Sequence, residues 1–309
     1  MRSLLVAAIA ATALANGAAL AHGDHDTGTA QGAQPQESWW LDLVPRAAAA
    51  ERMEIDERGG FRFIKADGLP NHATGQFPNP GNPNRISQQS YAFRMPLRPS
   101  RTGRPVFYRP NNLFGVAING VVFDPNTAEF WNNDPRSGWM IEALSGAVAL
   151  GMDANNAHVQ PDGAYHYHGI PVGLVDKLGT RDGLTLVGWA ADGFPIYVDG
   201  RLKPSWRLKT ARDAGGPSGK PDGTYARDYE YSSGLGDLDE CNGREGATPE
   251  FPQGTYYYVL TVKFPHVPRC FVGTPDASFV KQLGPPPPGR PGGPGGRPPP
   301  PPGGPPPPR

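Results

Sequence analysis

The stretch that decides the fold is Pro161-Asp162-Gly163-Ala164-Tyr165-His166-Tyr167-His168-Gly169-Ile170-Pro171, a turn signal followed by strict alternation of tyrosine and histidine. Alternation at period two predicts a short strand, with His166 and His168 on one face and Tyr165 and Tyr167 on the other. Side chains two apart on a strand stand about 7 Å apart at Cα, so two imidazoles can lean onto one metal ion at about 2 Å each. A third ligand is needed. His158 precedes the strand, and Pro161-Asp162-Gly163 between them lets the chain fold back and bring a third imidazole to the same face. The competing reading makes these rings core side chains, each nitrogen bonded to protein.

Working outward, Pro252-Gln253-Gly254-Thr255-Tyr256-Tyr257-Tyr258-Val259 repeats the spacing of Pro161 to His168, with Tyr257 and Val259 where the first copy has His166 and His168. The echo suggests two equivalent strands, of which one carries histidines, so that any metal site is single. Other strands are predicted at Phe61–Ile64 and Tyr91–Met95. Phe114–Ile118 and Val121–Phe123 flank Asn119-Gly120, the signature of a tight type I′ hairpin. Leu184–Ala190 and Phe194–Val198 flank Asp192-Gly193 as a second hairpin, with Pro195 placing its strand at a sheet edge. Helices are expected at Trp39–Asp56, stopped by Gly59-Gly60, and at Trp139–Ser145, stopped by Gly146. The fold class expected is mainly β, built from antiparallel hairpins in a sandwich or barrel-like arrangement, with a few short helices.

The ends differ from this middle. Met1-Arg2 followed by the small, apolar run to Ala21 reads as a secretory signal peptide (residues 1–21), and residues 22–38 read as a flexible segment. The β-rich domain is expected over residues 39–283, followed by a Pro/Gly-rich tail over 284–309 that cannot bury a core and suits polyproline recognition by a protein partner. No later stretch is apolar enough to span a membrane. Lys plus Arg and Asp plus Glu number 29 each, so there is no net field to attract nucleic acid. Two cysteines in an exported chain predict one disulfide, Cys241 to Cys270.

Further candidate ligands are carboxylates. Asp192 and Asp239 are placed to complete a site with the histidines, although an Asp before Gly often serves its own turn. Gly236 to Arg244 gathers three acids and an amide, a set that suits Ca²⁺. Cleavage after Ala21 would expose His22 as an amino-terminal imidazole, with His25 nearby, a pair suited to copper. His72 and His266 stand in loops rich in turn residues. GxSxG, Walker A, HExxH, CxxC and GxGxxG signatures are all missing from the sequence. Copper or zinc are the ions that imidazole ligands favour; with an open coordination position the same site would support hydrolysis or redox chemistry, and without metal the His/Tyr cluster would form a core or a ligand groove in an envelope-associated module.

Tyr165 to His168, Asp192-Gly193-Phe194-Pro195-Ile196-Tyr197, Leu238-Asp239-Glu240-Cys241-Asn242-Gly243, Gly75 to Pro80 and Tyr91-Ala92-Phe93 together resemble the YHYH-domain proteins, over most of Gly68 to Asp276. The resemblance implies an exported domain and brings no reaction with it. Members often show a second Tyr-His-Tyr run where this chain has Tyr256-Tyr257-Tyr258.

Overall fold

The structure is a computed structural model that describes residues 53–179 and 183–281. The expected signal peptide, His22, His25, the predicted helix up to residue 52 and the Pro/Gly-rich segment from residue 284 lie outside the described residues. Strands β1 (Met53–Arg58), β2 (Phe61–Ala66) and β3 (Tyr91–Pro96) form an antiparallel meander. Met53 to Asp56, expected at the end of a helix, are therefore strand. Their alternation Met-Glu-Ile-Asp suits a half-buried strand, and Gly59-Gly60, both at positive φ (60° and 81°), close a two-residue hairpin rather than stop a helix.

Next come β4 (Val106–Phe107), β5 (Gly115–Ala117), β6 (Val122–Phe123), β7 (Ala157–Val159), β8 (Tyr165–Tyr167), the helix α1 (Val172–Leu178), β9 (Thr185–Ala190) and β10 (Pro195–Val198). The chain ends with β11 (Trp206–Leu208), β12 (Tyr229–Tyr231), β13 (Gly243–Gly246), β14 (Thr255–Leu260) and β15 (Cys270–Phe271). Eight of these form one sheet in the order β13-β14-β10-β9-β5-β6-β8-β7, while β11 pairs with β12 and β15 with β4. The β1–β3 meander contributes Ile64, Phe93 and Met95 to the same core as Phe114, Phe123, Trp189 and Tyr258 of the large sheet region. The mainly β, largely antiparallel expectation holds.

The eight-stranded sheet is palindromic. In one half the hairpin β5–β6 runs parallel, through β6, to β8 of the hairpin β7–β8; in the other, β9–β10 runs parallel, through β10, to β14 of β13–β14. Registers coincide: Phe123 pairs with Tyr167 as Ile196 pairs with Tyr258, and His158 with His166 as Arg244 with Tyr257. The halves meet at β5 and β9, where Gly115 pairs with Ala190, Val116 with Trp189 and Ala117 with Gly188, a register symmetric about its central pair. A Cβ at Gly115 would lie 2.4 Å from the Trp189 carbonyl oxygen and one at Gly188 2.3 Å from that of Val116, so both strands need glycine there. The short echo read from sequence thus belongs to a structural repeat spanning the whole sheet.

Three local expectations are corrected. The β5–β6 turn is not type I′, since Asn119 does not take positive φ; Gly120 (φ 83°) donates to the Ala117 carbonyl and Ala117 N to that of Val121, a three-residue loop with its left-handed position at glycine. The β9–β10 turn repeats this with Gly193 N to Ala190 O and Ala190 N to Phe194 O. Trp139 to Ser145 is not helical, because Ile141 N and Glu142 N are spent on the distant carbonyls of Glu129 and Thr224. Finally, β10 lies between β9 and β14, not at an edge; Pro195 is tolerated as its first residue, ahead of the β14 pairing that begins at Ile196.

Candidate metal centre

Both faces of β8 are buried, Tyr165, His166, Tyr167 and His168 each exposing 1% or less of their surface. On one face the tyrosines are held by polar anchors. Tyr165 Oη donates to Asp153 Oδ2 (2.7 Å), and Tyr167 Oη lies 2.6 Å from His72 Nε2 and accepts from Asn119 Nδ2 (2.9 Å). His72 therefore serves a tyrosine on the face opposite the other histidines. With both tyrosines fixed, pleating forces His166 and His168 to the other face.

There the antiparallel pairing of β7 with β8 sets His158 directly across from His166. The Nε2 atom of His168 lies 2.9 Å from that of His166 and 3.2 Å from that of His158. Two imidazole nitrogens bound at about 2 Å to a tetrahedral ion would stand about 3.3 Å apart, so the spacing matches a shared ion. The other ring nitrogens explain the orientation. His158 Nδ1 bonds the Leu150 carbonyl (2.9 Å) and His166 Nδ1 that of Ala164 (3.1 Å). A carbonyl only accepts, so in the neutral rings the proton sits on Nδ1 and the Nε2 lone pairs converge, an arrangement common among metal-bound histidines. His168 Nδ1 is buried without a hydrogen-bond partner.

Burial, and for His166 and His168 also neighbouring positive charge including Lys281, pushes all three imidazoles below their ordinary pKa. They are neutral at physiological pH and offer lone pairs without first releasing a proton. Without an ion, His168, whose Nδ1 has no partner, can carry its proton on Nε2 and donate it to the lone pair of His166 or His158, the place a cation would take. His158 and His166 line a cavity of about 860 Å³, bordered also by Glu129, Phe130, Gln160 and Lys281. His168 lies behind them and is not part of its wall.

Among the described residues, these three histidines are the one group of three or more His, Cys, Asp or Glu side chains whose ligand atoms come this close, all within 4.8 Å. The carboxylates expected to join them are instead engaged in the other half of the sheet. Asp192 accepts from Tyr258 Oη (2.6 Å), Gly273 N (3.0 Å) and Phe194 N (3.4 Å), and its burial raises its pKa to about 6. Asp239 accepts from Cys241 N, Gly243 N and Tyr256 Oη, the turn and anchoring role that Asp153 fills in the first half. With Asp239 so engaged and Asp237 Oδ2 accepting from Lys203 N, the Gly236–Arg244 run forms no metal group. Cys241 and Cys270 are joined as a disulfide, and His266, with its pKa lowered to about 4 by burial and by Arg269, stands apart from the triad.

The sequence reading missed the carbonyls of Leu150 and Ala164 and the anchors Asp153 and Asn119. Carbonyls leave no residue-type signal. Asp153 had one, because Asp153-Ala154-Asn155-Asn156 and Asp239-Glu240-Cys241-Asn242 directly precede β7 and β13, the partners of the two echoing strands, with Asn156 and Asn242 both at positive φ (53° and 55°).

Fold and site together define a mainly β protein with an internally repeated sheet and a buried cluster of three histidines on one of its halves. Residues 92–273 match the family model described as YHYH protein, more than half of the chain, and the chain belongs to that family. No curated protein and no solved structure matches it.

Proposed function

We propose that the chain is an exported metal-binding protein in which His158, His166 and His168 hold one copper or zinc ion through Nε2, with a coordination position turned to the adjoining cavity. The observation that carries this reading is the convergence of three neutral imidazoles whose outer nitrogens, in two cases, are already committed to carbonyls. Neutral imidazole sets favour copper and zinc over calcium or magnesium. Three protein ligands leave a tetrahedral ion one further position, the condition for hydrolytic or redox chemistry. Export is supported by the leader-like residues 1–21 and by the disulfide; no helix among the described residues is long and apolar enough to cross a membrane.

The test is metal content and copper and zinc affinity of the protein cleaved after Ala21, beside a His166→Ala, His168→Ala double variant and a form lacking His22 to Asp26. Loss of tight binding in the double variant alone is the expected result. Binding that survives the double variant and disappears with the truncation would move the site to the amino terminus, and no binding by the parent protein would leave the histidines as core.

A further inference from the structure

Four charged side chains line the cavity beside the histidines, and three are cations: Arg227, Arg269 and Lys281, against Glu129 alone. Their counter-charges lie elsewhere. Arg269 pairs with Glu142, Lys281 with Asp124 and Arg227 with Asp213, and none of these acids belongs to the cavity wall. Glu142 and Asp124 are buried behind it, exposing 2% and 0% of their side chains. At Arg269 and Lys281 the wall therefore presents the positive ends of ion pairs whose negative ends face the protein interior, while the Arg227–Asp213 pair is exposed. Three neutral imidazoles would leave the full charge of a bound divalent ion uncompensated at the same wall. An anion is the ligand such a cavity stabilises.

The rest of the lining sets the ligand's body. Tyr108, Phe130 and Trp206 contribute aromatic surface, while Phe264, stacked on Tyr229 (3.9 Å between ring centres) and with the Arg269 guanidinium 5.3 Å from its ring centre, adds its edge beside that charge. Aromatic surfaces favour another ring in offset or edge contact. A cavity of about 860 Å³ is of the size that encloses a small organic molecule.

Resting on the metal reading above, we propose that the cavity binds a small aromatic carboxylate, its carboxylate at the open position of the ion within reach of the Lys281 and Arg269 charges, its ring against Phe130 and Trp206. Binding of a substrate or product of this class follows from the same wall that holds the metal, and acetate or a neutral aromatic amide would satisfy only half of it.

The full chain loaded with Co²⁺ tests this, because the visible spectrum of cobalt reports a change of ligand at the ion. Benzoate is expected to shift the spectrum with a dissociation constant about tenfold or more below that of acetate, and benzamide to leave it unchanged. Lys281→Gln should weaken benzoate about tenfold without lowering cobalt affinity, while Lys281→Arg retains it. Equal affinity for acetate and benzoate, a response to benzamide, or a Lys281→Gln variant that binds benzoate like the parent would overturn the proposal while the metal site stands. Failure of the parent protein to bind cobalt would instead remove the metal reading, and this inference with it.

Discussion

The two halves of the eight-stranded sheet share strand order, register and turn geometry, yet one gathers three histidines and the other, at the same places, Arg244, Tyr257 and Val259. What they share is the scaffold of the site. Each half has an Asp (Asp153 or Asp239) that takes its first strand tyrosine (Tyr165 or Tyr256), and an Asn or Asp in its hairpin turn (Asn119 or Asp192) that meets the second (Tyr167 or Tyr258). Tyrosine anchoring is thus a property of the repeat, and the histidines are an addition to one copy. Tyr257 and Val259 pack with Tyr197 and Leu238 into a small apolar cluster, showing that this position folds well without imidazoles.

The largest effect should come from making the first half like the second. The double substitution His166→Tyr and His168→Val is expected to weaken copper or zinc binding by well over about 100-fold, since loss of ligands exceeds the 10–100-fold that follows loss of their supporting partners. Far-ultraviolet circular dichroism of that variant should remain that of the parent. A variant that unfolds would show that the triad supports the first half structurally in a way that Tyr257 and Val259 do not support the second.

The halves also differ in how the loop before their outer hairpin is tied down. In the first, Asn155 donates to the Ala73 carbonyl (2.9 Å) and accepts from Gly173 N (2.8 Å); in the second, the corresponding Cys241 is bonded to Cys270, 29 residues on. Replacing both cysteines by serine should cost about 3 to 4 kcal/mol by the chain-entropy estimate for such a loop. Asn155→Ala should cost less, about 1 to 2 kcal/mol, because it forfeits hydrogen bonds without loosening the unfolded chain. Denaturant titration of both variants measures the difference, and equal costs would mean that the covalent tie does no more than the polar one.

At the junction of the halves the comparison predicts equality. Gly115→Ala and Gly188→Ala each drive a Cβ into the facing strand's backbone, and each should destabilise by about 2 to 3 kcal/mol. Costs that differ by more than about 1 kcal/mol would show that the symmetric register does not bring symmetric packing freedom.

Much of this was legible in the sequence, and the pattern of what was not has a physical basis. Period-two alternation located β2, β3 and β8, and turn dipeptides located both central hairpins, because these signals are local. The histidine triad was legible for the same reason: His158 needed only one turn to reach His166. Asp192 and Asp239 were misjudged because residue type gives their capacity to bind a cation but not which donors reach them first, and here tyrosines and backbone N–H groups from distant segments do. Trp139 to Ser145 shows the same in the backbone, where tertiary partners outbid local helix bonds.

Those donors explain the one chemical difference between the two turns, Asn119 against Asp192. His72 Nδ1 is bonded to the Ala73 carbonyl, so its Nε2 is an acceptor and takes the proton of Tyr167; the turn residue must then donate to Tyr167, and asparagine can. In the second half Val272 N donates to Tyr258 Oη, so the tyrosine proton needs an acceptor, and aspartate supplies it. Asp192→Asn can keep a carbonyl oxygen toward Tyr258 and Gly273, but turns its NH₂ toward Phe194 N, and at neutral pH should cost about 1 kcal/mol. The sign of its pH dependence follows from the raised pKa. With a folded value near 6 against 3.8 for the ordinary group, the folded state binds the proton more tightly, so the stabilisation from protonated Asp192 is complete below about pH 4 and is lost as pH rises through about 6. Asparagine has no such dependence, so the deficit of Asp192→Asn relative to the parent should be larger at pH 4 than at pH 7. Thermal melts of both proteins across that window measure it, and a deficit that grows with pH would mean that Asp192 is held as a stabilised carboxylate, its hydrogen bonds outweighing its burial.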